Sequence, residues 1–181
     1  MDSKNLLLIF LLFPAINLLA NQDSMPQLST AGIGDAKFGM TPDAVERALG
    51  RKLEFSKGKA NARLKNARCQ PASINGVSGV DLLFTNGNLD GIYTDKSTVT
   101  TKSGFKVGDP EASIIRKFRT DPTYERDESR YEGADLMQIS IGRVVTGRDT
   151  VLRFSSRRGM VVNIKAGHAD YVFNDDDYCA E

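Results

Sequence analysis

The sequence predicts an α+β fold built as two tandem helix-plus-antiparallel-sheet repeats within one domain. Three observations carry that expectation. The stretch Phe38-Gly39-Met40-Thr41-Pro42-Asp43-Ala44-Val45 returns in outline as Val107-Gly108-Asp109-Pro110-Glu111-Ala112-Ser113-Ile114, with Gly39 and Gly108 standing 69 positions apart. Each copy is followed by alternating apolar and polar residues, the period of half-buried strands. Phe84 and Phe154, each ahead of a turn signal, stand 70 apart, nearly in step with the glycines.

The chain begins with Lys4, an apolar run from Leu6 to Phe13 and a small residue at Ala20. That order predicts a secretory signal peptide over residues 1–20; a membrane anchor is the other reading, but Pro14 and Asn17 interrupt an already short apolar run. Residues 21–36 are polar with glycine and read as a flexible lead-in. Repeat one is expected over 37–95. Its helix has Thr41 placed to cap the N-terminus, Pro42 where a missing N–H costs nothing, and Asp43 in the first turn, where the helix dipole favours negative charge. Val45, Ala48 and Leu49 make one apolar stripe, and Gly50 is placed to end the helix. From Arg51 to Arg68 seven basic residues face one acid, Glu54; this is either an anion-binding patch or a solvated loop or strand pair. Val80, Leu82 and Phe84 then alternate with polar partners, and Asn86-Gly87 signals a tight hairpin returning through Leu89–Tyr93.

Residues 96–104 read as a connector and 105–181 as repeat two. Asp109 and Pro110 are expected to open its helix, with Glu111 in the first turn and Ile114 and Phe118 on the buried stripe. Thr120–Gly133 is polar and charged and reads as a long loop. Met137, Ile139 and Ile141 predict a strand, and Val151–Phe154 with Met160–Lys165 a second hairpin.

Composition excludes several function classes. Hydrophobic content of 40% with a net charge of +1 fits neither a disordered chain nor a broadly basic nucleic-acid binder. The two cysteines, Cys69 and Cys179, predict one disulfide in an oxidising compartment, two buried thiols being the alternative. By chain entropy a loop of that length contributes about 4–5 kcal/mol. One histidine, His168, and no Gly-x-Ser-x-Gly elbow leave nothing to assemble a catalytic triad, so no enzyme activity, cofactor or metal is expected. Asp175, Asp176 and Asp177 have two readings, a calcium-binding tail or a solvated acidic end, without the glycine and distal glutamate of an EF-hand.

The helix opening Gly39-Met40-Thr41-Pro42-Asp43-Ala44-Val45 with Leu49-Gly50 resembles that of the SmpA/BamE-type outer-membrane lipoproteins and the repeated opening of β-lactamase-inhibitor-type proteins. The resemblance implies helix-plus-sheet units, and the two-copy layout is closer to the inhibitor type, which grips an enzyme with a sheet face. No lipid-attachment cysteine follows the apolar run, a departure from the BamE pattern. The expected function is therefore a non-enzymatic periplasmic or secreted binder, an inhibitor or immunity-type protein that blocks an enzyme; the alternative is an envelope assembly or scaffold module with a membrane-protein partner. Tyr93, Tyr124, Tyr131, Tyr171 and Phe173 are the aromatic residues least explained by core stripes. They are the candidate partner contacts, since tyrosine is large, fairly rigid and tolerates water at one end.

Overall fold

The computed structural model describes residues 25–56, 69–131, 134–142 and 149–173. The predicted signal peptide, most of the basic stretch and the acidic end with Cys179 lie outside the described residues. Among those described, no helix is long and apolar enough to cross a membrane.

The fold is α+β. Three two-residue strands, β1 (Leu28–Ser29), β2 (Gly32–Ile33) and β3 (Ala36–Lys37), form a small antiparallel sheet ahead of helix α1 (Pro42–Leu49). Then come β4 (Leu53–Phe55), β5 (Cys69–Ile74), β6 (Val77–Thr85) and β7 (Asn88–Thr94), helix α2 (Glu111–Phe118), and β8 (Tyr124–Tyr131), β9 (Ala134–Gly142), β10 (Thr150–Arg157) and β11 (Met160–His168), closed by α3 (Ala169–Phe173). The other eight strands make one antiparallel sheet in the order β4-β5-β6-β7-β11-β10-β9-β8. Each helix thus precedes four strands that run inward from an edge, and β7 and β11 meet in the middle.

Helix α1 forms as its residues dictate: Thr41 is extended at the N-cap position, Pro42 follows, and Gly50 ends the helix in the left-handed region at φ 63°. The Thr41 hydroxyl makes no capping bond, so the proline and the backbone do the work. The second helix opens later than expected. Pro110 takes the N-cap position, while the Asp109 carboxylate turns back to accept the Lys106 N–H at 2.9 Å. Both helix openings are fastened to the sheet by a matching pair of backbone bonds. Gly39 N donates to Leu89 O at 2.7 Å and Leu89 N to Met40 O at 2.8 Å; Gly108 N donates to Val161 O at 2.8 Å and Val161 N to Asp109 O at 2.9 Å. Gly39 and Gly108 sit at φ 85° and 92°, a conformation open to glycine.

Strand register divides the sheet into two faces. Leu82, Phe84, Ile92, Ile164, Phe154 and Ile139 point to the face covered by α1, α2 and the small sheet, where they join Val45 and Ile114 in the main core. Phe105, Phe118 and Phe154 stack there with centroids 5.8 to 6.4 Å apart. The opposite face carries Asp81, Leu83, Gly91, Tyr93, Lys165, Gly167, Val151 and Arg153.

Three expectations need correction. The lead-in is ordered from at least residue 25: Leu28, Ile33 and Ala36 are fully buried, and Leu28 N donates to Thr100 O at 2.9 Å. In the stretch between β7 and α2, Val99 and Thr101 are buried too. Thr120–Gly133 is not a loop but holds β8, a charged strand at the sheet edge, paired from Tyr124↔Ile141 to Tyr131↔Ala134. Edge strands rich in charge are a common protection against unwanted pairing, and charge masked the alternation here. Finally, the turns Asn86-Gly87 and Arg158-Gly159, with φ of 52° and 78° and of 52° and 74°, stand 72 apart rather than 70. Ser156, not Phe154, therefore occupies the place of Phe84, two residues before the left-handed pair.

Candidate functional site

The second sheet face is where the chain gathers polar and aromatic groups. Helix α3 starts directly after β11 and packs on β7, β10 and β11, burying Ala169, Tyr171 and Val172 against Val151 and Leu83. Its seat exists because two glycines face each other across the central strands, Gly91 on β7 and Gly167 on β11. A Cβ on Gly91 would stand 2.3 Å from Tyr171 Cε1, and one on Gly167 2.8 Å from Tyr171 Cδ1, so the ring fills the space that side chains would take. Burial raises the Tyr171 hydroxyl far above the ordinary tyrosine range, with Asp81, Tyr93 and Asp90 adding to it.

Tyr93 lies beside this seat, half-buried, with Asp81 opposite it on β6 and Lys165 opposite it on β11. Burial pushes the Tyr93 hydroxyl up, and the Asp95 and Asp81 carboxylates push it further. Asp81 is itself raised, first by burial and then by Asp95. Further along α3, Phe173 is exposed, and the Arg153 guanidinium lies over its ring at 4.2 Å from the centroid. Arg153 Nε donates to Ser140 Oγ at 3.4 Å, and both residues are more than nine-tenths buried. With Glu125, Arg126 and Phe173 they line an open pocket of about 400 Å³.

Of the five aromatic residues expected at an interface, Tyr93, Tyr171 and Phe173 come together on this face. Tyr171 is a buried packing residue there, not an exposed contact. Tyr124 lies elsewhere: it pairs with Ile141 and packs, half-buried, against the main core on the opposite face. Tyr131 ends β8, and its side chain lies outside the described part of the chain. Cys69 opens β5, is buried and is not a free thiol, whereas Cys179 lies outside the described residues.

Sequence reasoning missed Asp81, Arg153 and Lys165, although each stands at a polar position in an alternating strand. It also missed the partner of His168. The imidazole Nδ1 meets the Asp90 carboxylate, and the ring packs at 6.0 Å from Phe38. Among the described residues, no three His, Cys, Asp or Glu side chains are placed to hold a metal ion; the Asp175–Asp177 run lies outside them.

Comparison with known proteins gives little to set beside this geometry. No family model matches the chain, and no curated protein matches it. A solved structure similar in shape is that of an extracellular protein containing a SCP domain from Bacillus anthracis str. Ames, with 9% sequence identity and a TM-score of 0.49 over 84% of this chain and 49% of that one. The chain thus spans about half the length of that protein.

Proposed function

We propose that this is an exported, non-enzymatic binding protein of the inhibitor or immunity type, which occludes an envelope or secreted enzyme with the second face of its sheet. The observation that carries the reading is the division of labour between the faces. One buries the core beneath two helices, whereas the other presents Tyr93, Asp81 and Phe173 around a rigidly seated α3. A flat array of strands holds such groups at fixed spacing, which lowers the ordering cost of binding. Aromatic anchors with a polar surround are the usual composition of a protein-binding hot spot.

The reading includes three further elements. The paired helix openings, each pinned by two backbone bonds to a strand some fifty residues on, support descent from one duplicated unit of the SmpA/BamE or inhibitor type. Cys69 lies on the Leu83 side of β5, the face on which α3 packs. Residue 179 follows Phe173 by six positions, a reach of up to about 20 Å, which supports a Cys69–Cys179 bridge. The lysine-led apolar stretch at the start supports secretion to the periplasm or beyond.

The test is capture by the mature chain, residues 21–181, from envelope and culture-supernatant fractions, set beside a Tyr93→Ala/Phe173→Ala variant. Wild type should retain an enzyme and lower its activity in stoichiometric mixture. The variant should bind at least about 30-fold more weakly, the loss expected when a hot-spot aromatic worth about 2 kcal/mol is truncated. A captured enzyme that keeps full activity, or that both proteins bind equally, would overturn the reading.

A further inference from the structure

One line of side chains crosses the second face of the sheet from strand to strand. The register places Asp81, Tyr93, Lys165, Arg153, Ser140 and Glu125 beside one another on β6, β7, β11, β10, β9 and β8. The ends of the line, Asp81 and Glu125, are exposed, whereas its middle is deeply buried: Lys165 is 8% exposed and Arg153 9%. Helix α3 accounts for only part of that cover. Tyr171 sits over Gly91 and Gly167, one line further along the strands, and Phe173 covers one face of the Arg153 guanidinium. Two neighbouring cations under cover call for opposite charge, because an unpaired buried ion is strongly destabilising. Neither of them is without a further partner.

The acids at the ends of the line are badly placed to supply that charge. Asp81 is two strands from Lys165, and Glu125 two strands from Arg153, about 10 Å at the usual strand spacing. Burial and Asp95 push the Asp81 carboxyl up, whereas an ammonium beside it would pull it down. The chain beyond α3 is better placed. Phe173 ends the helix with its ring on the Arg153 guanidinium, so the following residues start beside that charge. Residues 174–181, which lie outside the described residues, hold Asp175, Asp176, Asp177 and Glu181 and no lysine, arginine or histidine. Asp175 is two residues on, within about 7 Å along the backbone. An anchor for the segment lies in the same direction. Cys69 is buried and is not a free thiol, and its strand is four places from that of Arg153 in the order β5-β6-β7-β11-β10, about 19 Å. The six residues from Phe173 to Cys179 reach up to about 20 Å, so a segment bonded there crosses the strand of Lys165 on its way.

We propose that residues 174–181 form an anionic strap across this face, in which Asp175, Asp176 and Asp177 are the counter-ions of Arg153 and Lys165. The basic strip is thus a docking site for the chain's own acidic segment, and the three aspartates serve it rather than calcium. The proposal rests on the Cys69–Cys179 reading only for where the strap ends. The ion pairs stand on the two buried cations and the charge of the segment.

The mature protein is treated with a water-soluble carbodiimide, which joins a carboxylate to a lysine where the two are already paired, and the links are mapped by mass spectrometry. Lys52 and Glu46, 2.6 Å apart, are the internal control. A link from Lys165 to Asp175, Asp176 or Asp177 is expected. It should be absent from the variant Asp175→Asn/Asp176→Asn/Asp177→Asn, in which the Lys52 link remains. That variant should lose about 5 °C or more in Tm, as expected when buried ions are left unpaired in a domain of this size. In a Lys165→Met background the loss should be about half as large or less, since one of the two cations is gone. A non-reducing peptide map reads the disulfide separately, which tells a failure of the bridge from a failure of the ion pairs. A Lys165 link to an acid outside 174–181, no Lys165 link where Lys52 and Glu46 do link, or an equal Tm loss in both backgrounds would overturn the strap.

Discussion

Gly91→Ala offers a sharp test of how α3 is seated. Neither Gly91 nor Gly167 has a left-handed φ, but a Cβ on Gly167 would stand 2.5 Å from the Asp90 backbone oxygen, whereas the three atoms nearest a Cβ on Gly91 all belong to the Tyr171 ring, so Gly91 isolates the ring's contribution. At Gly91 the new methyl would lie 2.3, 2.4 and 2.6 Å from three ring atoms of Tyr171. Tyr171 is buried, and its helix is pinned at the start by Ala169 N donating to Asp149 O at 2.9 Å, so the ring has no cheap way out. Overpacking of this kind costs about 1–3 kcal/mol. In a domain of this size that corresponds to a fall in Tm of about 2–4 °C per kcal/mol. Truncating the ring by Tyr171→Ala should itself cost about 3–5 kcal/mol, the usual loss for a buried aromatic. The decisive measurement is the double-mutant cycle by urea denaturation. In the Tyr171→Ala background the added methyl has room, and its penalty should shrink to about 0.5 kcal/mol or less, giving a coupling energy above about 1 kcal/mol. An equal cost for Gly91→Ala in both backgrounds would refute the glycine seat.

Other expectations follow from the turns and the charges. Arg158 holds φ 52° at a hairpin turn where Asn86 serves in the other hairpin; Arg158→Asn should raise stability by about 0.5–1 kcal/mol in thermal unfolding, since asparagine tolerates that conformation better. Asp81 has a folded-state pKa above its ordinary value, so the native state binds the extra proton, and stability is lost as pH rises from the unfolded toward the folded pKa. Asp81→Asn should therefore raise Tm at pH 7, and its advantage should vanish when the pH falls below the ordinary aspartate range. Glu46 has the opposite sign. Its carboxylate accepts Leu53 N–H at 2.9 Å and Lys52 Nζ at 2.6 Å, and these bonds hold its pKa down. That stabilisation is present at neutral pH and lost as pH falls through the folded value, so the deficit of Glu46→Ala against wild type in thermal melts should narrow in acid.

The parts of the fold that read well are those where one signal acted alone. Pro42 and Gly50 bracket α1 because each has a backbone preference that no neighbour opposes, and Asn86-Gly87 sets its turn for the same reason. Val80, Leu82 and Phe84 alternate cleanly because one side of β6 faces the main core. β8 was illegible because an edge strand need not be apolar on either face, and Glu125 to Arg130 give no period to detect. The small sheet of β1 to β3 escaped notice because two-residue strands leave too few positions for alternation; only burial of Leu28, Ile33 and Ala36 reveals it. At the candidate site Phe173 was visible as an aromatic residue without a core role. Arg153 and Ser140 were hidden, since a polar residue on a strand normally faces water and sequence has no mark for a second covered face. Tyr124 shows the converse: its side chain packs half-buried against the core although its neighbours are charged.

The central pair of strands, β7 and β11, is matched over four residues, Thr94 to Gly91 against Ile164 to Gly167, whereas β8 and β9 match over eight. The sheet therefore resembles an open book whose spine is half as long as the pairing at its β8 edge, and at the glycine end of that spine the Asp90 carboxylate on one leaf meets the His168 imidazole on the other. Tyr171 lies across this line like a bolt across a hinge. The angle between the leaves, and with it the distance between Asp81 on one and Arg153 on the other, is then held by three things at once: the four paired residues of the spine, the Asp90–His168 contact and the Tyr171 ring.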